Sequence, residues 1–171
     1  MKPKSEAGRR KRAISNLPVI GWREWLSIPT LQIDRIKAKI DSGARTSSIQ
    51  AFNIQRITDH GTPCVSFIVH PEQRRRLPAI ECITEIFDER RVKSSNGDTQ
   101  DRYVIRVEIG LGGLLWPIEV TLAHRTSMGF RMLLGRQAFR RRFLVDAGHS
   151  FIGHRNQAID VTHITKKVKS Q

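Results

Sequence analysis

The sequence predicts an all-β domain, a barrel or a sandwich, with one short helical stretch. Three observations point there. Short runs rich in β-branched and aromatic residues recur, at least one alternates strictly between apolar and charged positions, and Gly, Pro or Asn-Gly separates them.

The first run, Leu17–Gly21 continued by Trp22–Ile28, reads as a strand that Pro29-Thr30 ends. In the next, Ile36, Ala38 and Ile40 face one way while Lys37 and Lys39 face the other, and this strand runs straight into Asp41-Ser42-Gly43-Ala44. The turn signal Asp59-His60-Gly61 precedes a strand over Cys64–Val69. Tyr103–Ile109 is another strand, and Gly110-Leu111-Gly112-Gly113 turns it into Leu114–Leu122, where Pro117 argues for an edge or a bulge. Met132–Gly135 is a short buried run. Arg136–Arg142 has room for about two helical turns, and Phe143–Asp146 with Ser150–Gly153 reads as a final hairpin.

The length of 171 residues suits one domain. There is no internal repeat. Residues 1–16 lack apolar periodicity and are expected to be a disordered basic arm, residues 17–155 the folded domain, and residues 156–171 a basic tail. With 30 Lys and Arg against 16 Asp and Glu, the formal charge is +14, which predicts attraction to an acidic partner without choosing one. No stretch approaches the ~18–20 apolar residues of a membrane span, and no secretory signal follows the basic start, so no membrane partner and a cytoplasmic location are expected. Cys64 and Cys82 show no framework spacing and read as small core residues.

Most candidate chemistry dissolves on inspection. None of the six histidines sits in a metal-binding spacing, so no metal and no cofactor are expected. Gly110–Gly113 lacks the Gly-Lys-Ser/Thr of a phosphate cradle, and Ser94-Ser95-Asn96-Gly97 is hairpin-turn chemistry. Asp41-Ser42-Gly43-Ala44 is different, because a downstream Leu133-Leu134-Gly135 accompanies it with hairpin chemistry between the two. That order is the layout of a retroviral-type aspartic protease subunit. Aspartic proteolysis needs two carboxyls that share one proton, one acting as base on water and the other as acid on the scissile carbonyl. The chain has one such motif. Asp146-Ala147-Gly148 imitates it without the hydroxyl. A second carboxylate must then come from another copy, which makes the active form a C2 homodimer with the site on its axis.

The match extends over several blocks: Ile20–Trp25, Lys39–Ser47, Ser94–Gly97 with Arg102–Ile105, Trp116–Glu119, and Met128–Arg136. In this order they resemble the bacterial retropepsin-like family labelled ATP-dependent zinc proteases, the RimB-like aspartic peptidases associated with the RimK glutamate ligase. The resemblance covers roughly residues 19–153. It implies a retropepsin-like closed-barrel subunit, homodimerisation, peptidase activity, and, for the RimK-linked branch, action on glutamate tails of a ribosomal protein. By position it makes Asp41 the catalytic carboxylate, Ser42 the orienting hydroxyl, and Gly43 and Ala44 the rest of the loop. Ser94, Ser95, Asn96 and Gly97 fall near a flap tip, and Leu133–Arg136 on the strand and turn that support the loop. Arg45 and Arg136 join Ala44 and the flap as substrate-binding candidates. The zinc and ATP of the family label find no ligand pattern here.

Two departures bear on the chemistry. Ser42 stands where Thr is commoner, keeping the hydroxyl but losing a methyl. Arg45 close behind Asp41 favours ionised carboxylates and, if it enters the cleft, an acidic substrate. Two readings from other classes compete. One keeps the fold but drops catalysis, leaving a binding module for an acidic peptide or a ligase. The other, a nucleic-acid-binding barrel with the triplets Arg74–Arg76 and Arg140–Arg142 as phosphate contacts, ranks last because the chain has one Tyr and its Trp residues sit in strand-like runs rather than beside those triplets.

Overall fold

Strict alternation in Ile36–Ile40 places the middle of the molecule, because a strand with one apolar face must bury it. In the computed structural model, which describes residues 16–93, 97, 99–124 and 129–154, this strand is β3 (Ile33–Asp41). Ile33, Ile36, Ala38 and Ile40 are buried and Lys39 is exposed. The preceding run is split into β1 (Val19–Gly21) and β2 (Arg23–Ile28), and Pro29 starts a single 3-10 turn, Pro29–Leu31, where the strand was expected to stop. On β2 the buried positions are Glu24, Leu26 and Ile28, while Arg23 and Trp25 lie half-buried on the outer face.

The remaining elements are β4 (Ser47–Gln50), β5 (Phe52–Asp59), β6 (Thr62–Val69), β7 (Ile80–Glu85), β8 (Asp88–Lys93), β9 (Thr99–Leu111), β10 (Leu114–Ala123), β11 (Met132–Gly135), α1 (Arg136–Phe139) and β12 (Leu144–Asp146). The fold is all-β with one short helix. Seven strands pair in the order β10-β4-β11-β3-β2-β9-β8, with β9 and β10 also paired to each other. β5, β6 and β7 form a separate antiparallel sheet, and β1 and β12 a two-stranded parallel one. Ile28, Ile36, Ile49, Phe67, Ile105, Ile109, Met132 and Leu134 are among the core side chains that these sheets enclose.

Several expectations are met with physical reasons. The Asn96-Gly97 signal falls between β8 and β9, which pair antiparallel with Lys93 opposite Thr99, and Gly97 has a φ of +89° that favours glycine. Ser94, Ser95 and Asn96 themselves lie outside the described residues. Pro117 sits opposite Glu108 of β9, in the half of β10 that β4 does not reach, since β4 pairs only with Val120–Ala123. Cys64 and Cys82 are free, buried thiols.

Other expectations are corrected. Residues 143–153 do not form a hairpin. Leu144–Asp146 instead pairs in parallel with Val19–Gly21, and Ser150–Gly153 is not a strand. The backbone N–H groups of Trp22 and of Phe151 bond to His149 and Arg23 carbonyls at 2.9 Å each, so the segment is laced to the β1–β2 junction rather than to itself. The helical stretch is one turn, Arg136–Phe139, closing at Arg140. Four strands the sequence did not announce, β4, β5, β7 and β8, complete the sheets. The arms expected over residues 1–16 and 156–171 lie outside the described residues, apart from Asn16.

Candidate active site

A short parallel pairing brings the two chemically distinctive segments together. β11 lies beside β3 in register Met132↔Ala38, Leu133↔Lys39, Leu134↔Ile40 and Gly135↔Asp41. The carboxylate at the end of β3 is therefore level with the glycine that ends β11. Gly135 must be glycine for steric reasons: a Cβ there would meet the Thr46 carbonyl carbon at 2.4 Å and the Ser47 nitrogen at 2.8 Å.

The loop after Asp41 is held from both sides. Asp41 Oδ1 accepts hydrogen bonds from the backbone N–H of Gly43 at 3.0 Å and of Ala44 at 3.1 Å. This folds the chain tightly around its own carboxylate. A Cβ on Gly43 would press on that oxygen at 3.3 Å. From the other side, Arg136 N–H donates to the Ala44 carbonyl at 2.7 Å and Gln137 N–H to the Arg45 carbonyl at 3.1 Å. The Arg136 guanidinium donates to the Ser42 carbonyl at 2.9 Å. Ser42 and Gly43 are left exposed, and Asp41 half-buried. The result is a carboxylate fixed in direction on an accessible loop.

Arg136, which the sequence placed both on the turn supporting the loop and among substrate-binding candidates, bonds to the loop backbone through its N–H and its guanidinium. Arg45 is exposed, and with the Gln137 amide oxygen turned toward it, its Nε and Nη2 donate to Gln137 at 3.0 and 3.3 Å. No ion pair joins Arg45 to Asp41 among the described residues. Gly97 is exposed at the β8–β9 connection. Among the described residues no cluster of three or more His, Cys, Asp and Glu side chains is placed to hold a metal ion.

Two positions that sequence reasoning passed over prove central. Ser47 is buried, its Oγ accepts from Gly135 N–H at 3.0 Å, and its carbonyl accepts from Thr121 Oγ1 at 3.2 Å. It ties β4, β10 and the end of β11 together directly beneath the loop. Gln137 carries both a backbone and a side-chain link to Arg45. Ser47 stands in a polar Thr-Ser-Ser run, so no apolar pattern marks it, whereas the Gly-Arg-Gln that follows Leu133-Leu134 could have flagged Gln137.

Asp146, the sequence's imitation of Asp41, has a similar turn. Its Oδ1 accepts from Gly148 N–H at 2.8 Å, and its Oδ2 lies 2.8 Å from His149 Nδ1. These bonds, first that of Gly148 and then that of His149, hold its carboxyl below the usual range. It ends β12 opposite Gly21 rather than joining Asp41.

The family model of the RimB-like retropepsin-like aspartic endopeptidases matches residues 19–156. The chain belongs to the RimB-like family. Two curated relatives named Probable alpha-L-glutamate ligase share the region. The one from Shewanella halifaxensis is 49% identical over 139 residues, which is 81% of this chain and 30% of that protein. The one from Desulfotalea psychrophila is 47% identical over 128 residues, 75% of this chain and 28% of that protein. The RimB-like chain therefore spans under a third of the length of these relatives. A crystal structure of a Legionella pneumophila protein of unknown function superposes with a TM-score of 0.66 at 26% identity, covering 80% of this chain and 98% of that one.

Proposed function

We propose that this RimB-like chain is an aspartic-type peptidase that works as a C2 homodimer, each subunit contributing one Asp41. The two carboxyls share a proton. The ionised one takes a proton from water as the water oxygen bonds to the scissile carbonyl carbon. The protonated one donates to the carbonyl oxygen. The C–N bond then breaks and the leaving nitrogen receives the proton. Ser42 supplies the hydroxyl that orients the loop, Gly43 and Ala44 complete it, and Ser94–Gly97 form the flap over bound peptide. The two carboxyls and water suffice for this reaction. The folded unit is residues 17–155, with basic arms on either side, in the cytoplasm.

The observation that carries this reading is the placement of Asp41. It ends β3 level with Gly135, and two backbone N–H groups fix one of its oxygens on an exposed loop. The β9–β10 pairing supports a closed barrel. For the dimer, Ile40 N–H donates to the Trp22 carbonyl at 2.8 Å, which sets the β1–β2 junction beside the Asp41 end of β3. On the β1–β12 sheet that follows, Val19, Leu144 and Val145 are exposed apolar side chains that a second copy would cover.

The substrate is an acidic peptide, specifically a poly-glutamyl tail on a ribosomal protein made by a RimK-type ligase. Proteins named as glutamate ligases carry a region like this chain within a longer polypeptide, and a peptidase unit so joined meets glutamyl chains. The formal charge of +14 favours such a polyanion. The test is to incubate wild type and Asp41→Asn with poly-glutamyl peptides across pH ~4–8, which brackets carboxyl and histidine titration. Hydrolysis by wild type alone supports the peptidase. Binding without hydrolysis by either protein overturns it in favour of a binding module.

A further inference from the structure

A cavity of about 380 Å³ opens beside the Asp41 loop. Thr46, Ser47 and Gln137 form its near wall, and two of these are the residues that pin the loop: Ser47 holds Gly135, and Gln137 holds Arg45. Arg106, Arg140 and Arg142 also line it. So does Trp116, buried, with its indole N–H donating to the Ala138 carbonyl at 3.0 Å. The Trp116 donor is therefore satisfied, and the charged donors of the lining are the three arginines.

The acidic residue in the lining, Glu119, is paired with arginine, though Arg90 also holds Asp88 at 2.7 Å. Glu119 Oε2 is 2.7 Å from Arg90 Nη2, a cation outside the cavity, and its Oε1 is 3.9 Å from Arg106 Nη2. Arg140 and Arg142 have no carboxylate partner among the described residues. The Arg142 guanidinium instead stands 5.3 Å from the Trp116 ring centroid. An aromatic ring with unpaired guanidinium groups in the same lining suits a side chain with a short hydrocarbon stem and a carboxylate end.

We propose that this cavity is a specificity subsite that takes a glutamate side chain of a peptide held at Asp41, with Arg140 and Arg142 as its carboxylate ligands and the Trp116 face as its floor. The subsite rests on the peptidase reading for where the peptide lies. It adds to the general attraction of a basic protein a local preference for acid at one position along the peptide. Neither arginine belongs to the reacting group, so their loss acts on binding and leaves the chemical step in place.

The experiment measures binding of fluorescent tetraglutamyl and tetraglutaminyl peptides to the Asp41→Asn protein, which holds peptide without cutting it. The same peptides are then bound to this protein carrying Arg140→Ala with Arg142→Ala, or Arg35→Ala with Lys39→Ala, which removes equal charge from exposed positions on β3. The first pair should weaken tetraglutamate by about tenfold or more, as charge-assisted hydrogen bonds are lost, and leave tetraglutamine unchanged. The second pair should weaken tetraglutamate far less. In the wild-type background, the Arg140 and Arg142 substitutions should raise KM for tetraglutamate and leave kcat. Equal weakening by both pairs, or equal binding of both peptides before substitution, overturns the subsite. Wild type that binds tetraglutamate in an arginine-dependent way but never cleaves it supports the subsite and overturns the peptidase.

Discussion

Replacing Gly135 with alanine probes the junction on which the Asp41 loop depends. Gly135 has φ −75° and ψ 160°, an ordinary extended conformation, so alanine adds no backbone strain and the effect is purely steric. Its new Cβ would lie 2.4, 2.6 and 2.8 Å from Thr46 C, Thr46 O and Ser47 N. All three are backbone atoms, and no side-chain rotation relieves them. The Thr46–Ser47 segment must retreat by most of an ångström to reach ordinary contact. That retreat stretches the links from Gly135 N–H to Ser47 Oγ, Arg136 N–H to Ala44 O and Gln137 N–H to Arg45 O, now at 3.0, 2.7 and 3.1 Å.

Overpacking costs about 1–3 kcal/mol, and weakened buried hydrogen bonds bring the total to about 2–4 kcal/mol. For a chain of this size this lowers Tm by roughly 4–16 °C. A misplacement near 1 Å of the carboxylate is expected to reduce turnover by about 100-fold. Thermal unfolding and peptide hydrolysis should be measured beside Gly129→Ala, where a Cβ meets nothing within 4 Å. If Gly135→Ala unfolds with Gly129→Ala and both cut peptide equally, the junction does not position the loop.

The other predictions concern groups away from the loop. Glu24 is fully buried, and its Oε1 accepts from the N–H groups of Gly21, Ile152 and Gly153 at 2.7, 2.9 and 3.0 Å; Glu24→Ala should therefore cost about 3 kcal/mol or more in urea unfolding, and Glu24→Gln, which keeps an acceptor, distinctly less. Burial pushes the Cys82 thiol up to about 11, so iodoacetamide at pH 8 should leave it unmodified in the native protein and react after unfolding. Because Asp146 titrates below the ordinary carboxylate range when folded, its contribution to stability is present above about pH 4 and is lost as the pH falls through its folded value. An NMR titration should place its midpoint below that of a free aspartate and show it rising in His149→Ala. A midpoint that ignores His149 contradicts the pairing.

What the sequence disclosed follows from where each strand meets water. β3 was legible because one face packs the core while Lys37 and Lys39 face outward, and β11 because it is a continuous apolar run. β4 was hidden because two of its buried positions are Ser47 and Gln50, whose polarity is absorbed by specific contacts rather than by an apolar pattern. β8, written Asp-Glu-Arg-Arg-Val-Lys, lies at the end of its sheet and joins its neighbours through ion pairs, among them Arg90 with Glu119 and Arg91 with Asp101. Nothing apolar announces such a strand. The parallel β1–β12 pairing joins residues more than a hundred positions apart, and local turn signals around Gly148 suggested a hairpin instead. At the site, the Asp41 and Gly135 motifs were readable as motifs. The links that lock them, through Ser47, Arg136 and Gln137, depend on register and appear only in three dimensions.

The central claim, that two Asp41 carboxyls from different subunits make one site, has a direct measurement. Wild type at fixed concentration is mixed with increasing amounts of Asp41→Asn under conditions that allow subunits to exchange, and hydrolysis of a poly-glutamyl peptide is followed. If mixed pairs are dead, activity should fall to about half at equal amounts and about a quarter at a threefold excess of the variant. Activity that stays constant while the variant is added would mean that each chain works alone, and would contradict the shared site.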